Sequence, residues 1–177
     1  GCSSPKHSMS DQATATAQKN AGPQIQVDLQ ELLDSLFMVL TDKESMVIQK
    51  RFALNGEQKQ TLEKIGKHFN VTRERIRQIE SIALSKLKRT VRTTRLDEVN
   101  GLAKEILRNN GGLLREDRLI TECLKRIVGA KDVDGAVLRL SFSIDPDMIS
   151  GSRANSFISF WRIESLAMDD VSVIVNS

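Results

Sequence analysis

TLEKIGKHFNVTRERIRQIESIALSKLK, residues 61–88, reads as two short helices joined by a tight turn, with a densely basic second helix. In that second helix Ile76, Ile79, Ala83 and Leu87 recur at helical spacing and make one apolar stripe. Thr72 suits its N-cap, because the hydroxyl can accept from an orphan amide of the first turn. At about 100° per residue, Arg73, Glu74, Arg77, Gln78 and Ser81 fall on the opposite face. In the first helix, from Leu62 to Phe69, the inward residues are Leu62, Ile65 and Phe69. Gly66 costs roughly 1 kcal/mol there against Ala, which makes sense if a neighbour packs close at that point and is otherwise a tolerated accident. Asn70 suits the turn because it tolerates a left-handed backbone.

This layout fits a helix-turn-helix whose second helix lies in a DNA major groove, its N-terminal residues reaching base edges. Arg can bond bidentately to guanine, Glu can accept from the cytosine amino group, and Gln can pair with adenine. A solvated surface helix carries the same residue types, so the residues by themselves leave both readings open.

The longer stretch LTDKESMVIQKRFALNGEQKQTLEKIGKHFNVTRERIRQIESIALSKLKR, from Leu40 to Arg89, resembles region four of the primary sigma factors of bacterial RNA polymerase. NVTRERIRQIE carries that family's signature, and LTDKESMVIQKRF matches the helix that precedes it. The resemblance implies reading of the minus-35 promoter hexamer on double-stranded DNA and docking on the beta flap of the polymerase core. Arg73, Glu74 and Gln78 match the family's base-reading positions. Thr72, Arg75, Arg77, Lys86 and Lys88 are the phosphate-contact candidates. The family's promoter-melting regions use aromatic residues, and the segment before Leu40 has neither Tyr nor Trp. The implied role is therefore that of a DNA-binding transcription regulator working beside another sigma factor. The alternative is an interaction protein that occupies the region-four site on the flap without reading DNA. A third reading, an accessory module of a nuclease system, meets no nuclease motif or acidic metal cluster in the sequence.

Charge distribution agrees with a nucleic-acid surface in the middle of the chain. The net charge of the 177 residues is +3, yet residues 41–95 hold 14 basic and 6 acidic residues, whereas residues 96–177 hold 10 and 13. A positive field placed where the helix-turn-helix sits is what phosphate binding requires. The two cysteines, Cys2 and Cys123, make no metal-ligand spacing and no disulfide framework. His7 and His68 are isolated, and no Cys, Asp or Glu cluster frames His68 as a catalyst. No apolar run reaches the ~18 residues of a membrane span, and there is no secretory leader pattern. No cofactor, metal, small-molecule substrate or enzymatic chemistry is expected, and the place of action is the cytoplasm, at the nucleoid. GCSSPKHS has the look of an expression scar, with a natural start at Met9 and a complete small protein after it.

The expected fold is mainly α, a sigma region-four helix-turn-helix domain followed by a winged-helix domain with a small β-hairpin. Residues 1–26, rich in Ser, Thr, Ala and Gln, read as a disordered tail. The first domain spans 27–92. Asp28 caps a helix through Leu40 with an apolar stripe of Leu29, Leu32, Leu33, Leu36 and Phe37. That stripe is either core or, through Leu33, Leu36 and Phe37, a polymerase-docking surface. Thr41 and Glu44 form a capping box for the next helix, which buries Val47, Ile48 and Phe52.

The junction TVRTTRLD reads as a short linker or a frayed helix end leading to an N-cap at Asp97. The second domain, 97–163, begins with a helix carrying Val99, Leu102, Ala103, Ile106 and Leu107 and stopped by NNGG at 109–112. A helix with Leu119, Ile120, Cys123, Leu124 and Ile127 follows, ending near Gly129. The next is capped by Asp132, with Val133, Val137 and Leu140 inward. Met148–Ile149 and FISFWRI then form a hairpin around GSRANS. The helix order, the Gly-rich first stop and Phe160-Trp161 resemble, more weakly, the HARE winged-helix domain found in the polymerase delta subunit. Its acidic character favours protein over DNA contact, and Trp161 is expected to anchor the wing. Residues 164–177 form a C-terminal tail or, from the alternation in VSVIVNS, an extra strand.

Overall fold

Asp28 starts the first helix of the computed structural model, which describes Gly22, residues 24–152 and residues 159–164. Its carboxylate accepts from the amides of Gln30 and Glu31 and leads into α1 (Leu29–Phe37). Thr41 opens α2 (Asp42–Phe52) with the full capping box. The Glu44 amide donates to the Thr41 hydroxyl at 3.2 Å, and the Thr41 amide donates to the Glu44 carboxylate at 2.9 Å. Ala53 ends α2 in the left-handed conformation. The loop then enters α3 (Leu62–Phe69) and α4 (Arg73–Lys88). Two ion pairs lock α2 against α4: Lys86 to Glu44 at 2.8 Å and Arg51 to Glu80 at 3.2 Å.

Glu44 adds an acid-sensitive element to this packing. Burial alone would raise its pKa, but hydrogen bonds from Lys86 and Thr41 together outweigh it and hold the carboxyl below its ordinary value. A carboxyl depressed by folding adds stability above its unfolded pKa and loses it as pH falls through the folded one. Stability measured by denaturant titration from pH 7 to 3 should therefore fall more steeply below about pH 4.5 in the wild type than in Glu44→Gln. Parallel profiles would show that the pair contributes nothing to acid sensitivity.

The second half holds α5 (Leu96–Asn109), β1 (Leu113–Arg115), α6 (Glu116–Arg126), α7 (Gly135–Ser143), β2 (Met148–Ser152) and β3 (Ser159–Ile163). The strands form one antiparallel sheet in the order β1-β3-β2, with Leu114 opposite Trp161 and Ser150 opposite Trp161 on the other side. Three helices and this sheet complete a winged-helix arrangement behind the helix-turn-helix. Strand β1 was not foreseen in the sequence, where the three residues Leu-Leu-Arg are too short to show a period.

Trp161 anchors the wing to the helices. It is 3% exposed, stands edge-on to Phe142 with centroids 5.7 Å apart, and donates from Nε1 to Glu116 at 2.9 Å. An aromatic pair of this geometry is worth about 0.5–1.5 kcal/mol beyond its burial. Helices α5 and α7 share a fully buried polar pair, in which Asn100 Nδ2 donates to the Ser141 carbonyl at 3.0 Å and the Ser141 hydroxyl donates to Asn100 Oδ1. Each buried polar group thereby keeps a partner. Lys104 reaches Asp145 at 3.0 Å and Asp147 at 3.3 Å and neutralises the buried Asp145.

Three local expectations change. Asp97 lies inside α5, whose N-cap is Arg95; the Leu96 amide instead finds the Thr94 hydroxyl at 3.3 Å. Asp132 opens a 3-10 turn, Asp132–Asp134, and the Lys131 amide donates to the Asp134 carboxylate at 2.9 Å. Val133 consequently points outward and is 50% exposed, while Val137 and Leu140 are buried.

Buried apolar residues form two clusters among the described residues. The smaller joins Val47, Ile65, Ile76 and Ile79 inside the helix-turn-helix. The larger runs from Val27 through Leu29, Leu36, Leu87, Val91 and Leu96 to Phe142 and Ile163. Helices α1 and α2 both contact α7, and Val91 and Leu96 at the junction are buried. Just before α1 the chain is held as well: Ile25 bridges Ile127 in parallel, Arg95 donates to the Gln26 carbonyl at 2.8 Å, and Gln30 donates to Asp134 at 2.8 Å. Gly151 and Ser152 of the expected turn GSRANS extend β2, while most of the expected N-terminal tail, residues 153–158 and the expected strand VSVIVNS lie outside the described residues.

Candidate nucleic-acid interface

The turn between α3 and α4 is set by two residues. Asn70 takes φ 57° and ψ 45°, and the Val71 amide returns to the Gly66 carbonyl at 2.9 Å. A Cβ on Gly66 would stand 2.7 Å from the Val71 carbonyl oxygen and 3.3 Å from the Thr72 carbonyl carbon. The close neighbour is thus the turn backbone leading into α4. Gly66→Ala gains up to about 1 kcal/mol of helix propensity but drives the methyl into backbone that cannot step aside, a strain of typically 1–3 kcal/mol. The substitution should lower stability in a denaturant titration, and an unchanged or raised midpoint would show that the turn opens without cost.

Beyond the turn, the Thr72 hydroxyl accepts from the Arg75 amide at 3.1 Å and starts α4. Ile76, Ile79, Ala83 and Leu87 are buried along one side, which leaves Arg73, Glu74, Arg75, Arg77 and Gln78 exposed on the other. The three proposed base readers therefore share one exposed face at the N-terminal end of the helix. Its members are also linked to one another: Arg77 Nη2 donates to Glu74 at 2.7 Å, and Arg75 donates to Gln78 at 3.3 Å. The Arg77 hydrogen bond is the chief reason the Glu74 carboxyl lies below its ordinary range, and the same bond raises Arg77. Glu74 therefore stays an acceptor, as pairing with a cytosine amino group requires.

Other candidates are placed differently. Lys88 is exposed and has no carboxylate partner among the described residues, whereas Lys86 spends its charge on Glu44. Leu33 and Leu36, at 7% and 1% exposure, fill the chain's own core and offer no surface in this arrangement. Phe37 is half-buried against the same cluster, and the exposed apolar residues beyond it are Met38 and Val39. His68 is exposed and edge-on to Phe69 at 5.0 Å. Cys123 is buried, and loss of solvent pushes its thiol up to about 12, where it is inert.

A recess of about 380 Å³ at the start of α4 is lined by Arg51, Thr61, Leu62, Glu63 and Arg73. Arg51 also lines a second cleft with Phe52, Lys59, Glu80 and Arg139. Arg51, Lys59 and Arg139 were not singled out in the sequence. They come from α2, a loop and α7, and only the packing of α2 on α7 brings them together.

Residues 36–89 match the family model described as Sigma-70, region 4. The match takes in the end of α1 and all of α2, α3 and α4, and so covers the exposed face built by Arg73, Glu74 and Gln78.

Proposed function

We infer from the segment similar to Sigma-70 region 4 that the chain works in transcription through binding DNA or RNA polymerase. We propose that the chain is a transcription regulator that reads a minus-35-like hexamer with α4 and associates with RNA polymerase through the same domain, by stoichiometric binding. The observation that carries this reading is the exposed face of α4, where Arg73, Glu74 and Gln78 project from a helix N-terminus fixed by the Gly66–Val71 turn. That is the end of a recognition helix that meets base edges. No helix among the described residues is long and apolar enough to cross a membrane. The C-terminal winged helix, similar in pattern to the HARE type, would face a protein partner with its acidic surface, setting specificity and on-rate rather than affinity.

A second reading, occupation of the polymerase flap without DNA reading, draws support from one observation. Two of the cationic candidates, Arg77 and Lys86, already spend their charge on Glu74 and Glu44. Equilibrium binding to a duplex carrying a TTGACA-like hexamer, to its scramble and to core polymerase separates the two. Preference for the hexamer supports the first reading; polymerase binding with equal, weak affinity for both duplexes supports the second.

A further inference from the structure

The cleft shared by the two halves of the chain holds more positive charge than its own carboxylates neutralise. It encloses about 200 Å³ and is lined by Arg51, Phe52, Lys59, Glu80 and Arg139. Glu80 holds Arg51 Nε at 3.2 Å, and the Gln60 carbonyl accepts from Arg51 Nη1 at 3.1 Å. Across the cleft, Glu116 holds Arg139 Nε at 2.7 Å and is itself fixed by Trp161 Nε1. Three cations thus face two carboxylates. Lys59 has no ion pair, and the terminal nitrogens of Arg139 donate to nothing among the described residues.

We propose that this cleft is a phosphate site, in which Lys59 and the unspent donors of Arg51 and Arg139 hold one phosphate group. The proposal rests on the DNA-reading function and extends it: the C-terminal half, acidic as a whole, contributes Arg139 to the nucleic-acid surface. Geometry supports a backbone phosphate as occupant. Arg51 lines both this cleft and the recess where Arg73 begins α4, so the cations make one track leading away from the base-reading face. Both arginines are half-buried and oriented by their carboxylates, so little freedom is left to lose when a phosphate arrives, and the guanidinium fork suits its oxygens. Desolvation first, then the charge of Arg139, press the Lys59 ammonium below the ordinary lysine value, with Glu116 opposing.

The test compares the full chain with Lys59→Gln, Arg139→Gln and Arg139→Lys. Lys59 is exposed and has no ion pair among the described residues, so its replacement leaves the fold intact; Arg139→Lys guards against loss of the Glu116 bond. Affinities for hexamer and scrambled duplexes are measured across salt concentrations. Each Gln variant should flatten the slope of log affinity against log salt by about one unit, equally for both duplexes, with the hexamer preference kept. Arg139→Lys should restore most of the slope. In a second arm, inorganic phosphate and ATP are titrated calorimetrically into the protein without DNA. Heat that disappears in Lys59→Gln, with an unchanged DNA slope, assigns the cleft to a free phosphoryl group. An unchanged slope with no phosphate or ATP heat overturns the proposal while leaving DNA reading in place. Failure of the wild type to prefer the hexamer overturns the DNA reading instead, and the calorimetric arm then decides the cleft.

Discussion

Arg73→Ala is expected to erase about 1–3 kcal/mol of the preference for a TTGACA-like duplex over its scramble, roughly a 5- to 150-fold loss. Gln78→Ala should act in the same direction. Both side chains are exposed on α4, so melting should change by no more than about 0.5 kcal/mol. The effect on recognition would then be separable from any effect on folding. Lys88→Ala provides the contrast: an exposed cation farther along the helix should weaken hexamer and scramble alike and reduce the salt slope by about one. Arg77 is a more complex case, because it holds the Glu74 carboxylate at 2.7 Å. Its removal should cost phosphate affinity while releasing Glu74 to move, so some loss of base discrimination should accompany the flatter salt slope. Gel-shift or anisotropy titrations at several salt concentrations measure all four. Equal wild-type affinity for hexamer and scramble at moderate salt would end the base-reading proposal and leave the polymerase-binding one.

What could be read in the chain beforehand was whatever a few neighbouring residues decide. Thr72 at an N-cap, the Thr41–Glu44 capping box and the positive φ of Asn70 follow from side chains acting within one helical turn. The stripe Ile76, Ile79, Ala83 and Leu87 was legible for the same reason, and with it the opposite face that carries Arg73, Glu74 and Gln78. Local competition between similar groups was not legible. Asp97 and Asp132 both look like caps, yet the Thr94 hydroxyl and the Asp134 carboxylate take those amides. Nor could a pattern say which surface a stripe would meet. Leu33 and Leu36 suit a docking face as well as a core, and the choice depends on α7 lying alongside, more than 90 residues later. The Arg51–Lys59–Arg139 cleft escaped notice for this reason too, since its members belong to opposite sides of that long-range contact.

Leu36→Ala is expected to destabilise the protein by about 2–5 kcal/mol, and to do so at a residue far from the helix-turn-helix stripe in sequence and from Trp161 in the chain. Leu36 is 1% exposed and belongs to the cluster that also takes in Val91, Leu96, Phe142 and Trp161. Its truncation leaves a cavity at the meeting of α1 and α7, so the loss is felt on both sides of the junction that the sequence places at Thr90–Leu96. Trp161 is the sole tryptophan, which makes its fluorescence a private reporter of the second half. Far-UV circular dichroism reports the helices of both. If the shared cluster unfolds as a unit, the two transitions coincide in the wild type and move together in Leu36→Ala. For a chain of this size the expected shift is about 5–15 °C in Tm. If the halves are instead separately folding cores, the fragment 97–177 melts cooperatively by itself. Leu36→Ala then lowers only the part of the helical signal that belongs to α1–α4, and the Trp161 transition stays where it was. The coincidence or separation of those curves decides whether α4 and the winged helix are held in one fixed geometry. A cleft built from Arg51 on one side and Arg139 on the other depends on that geometry.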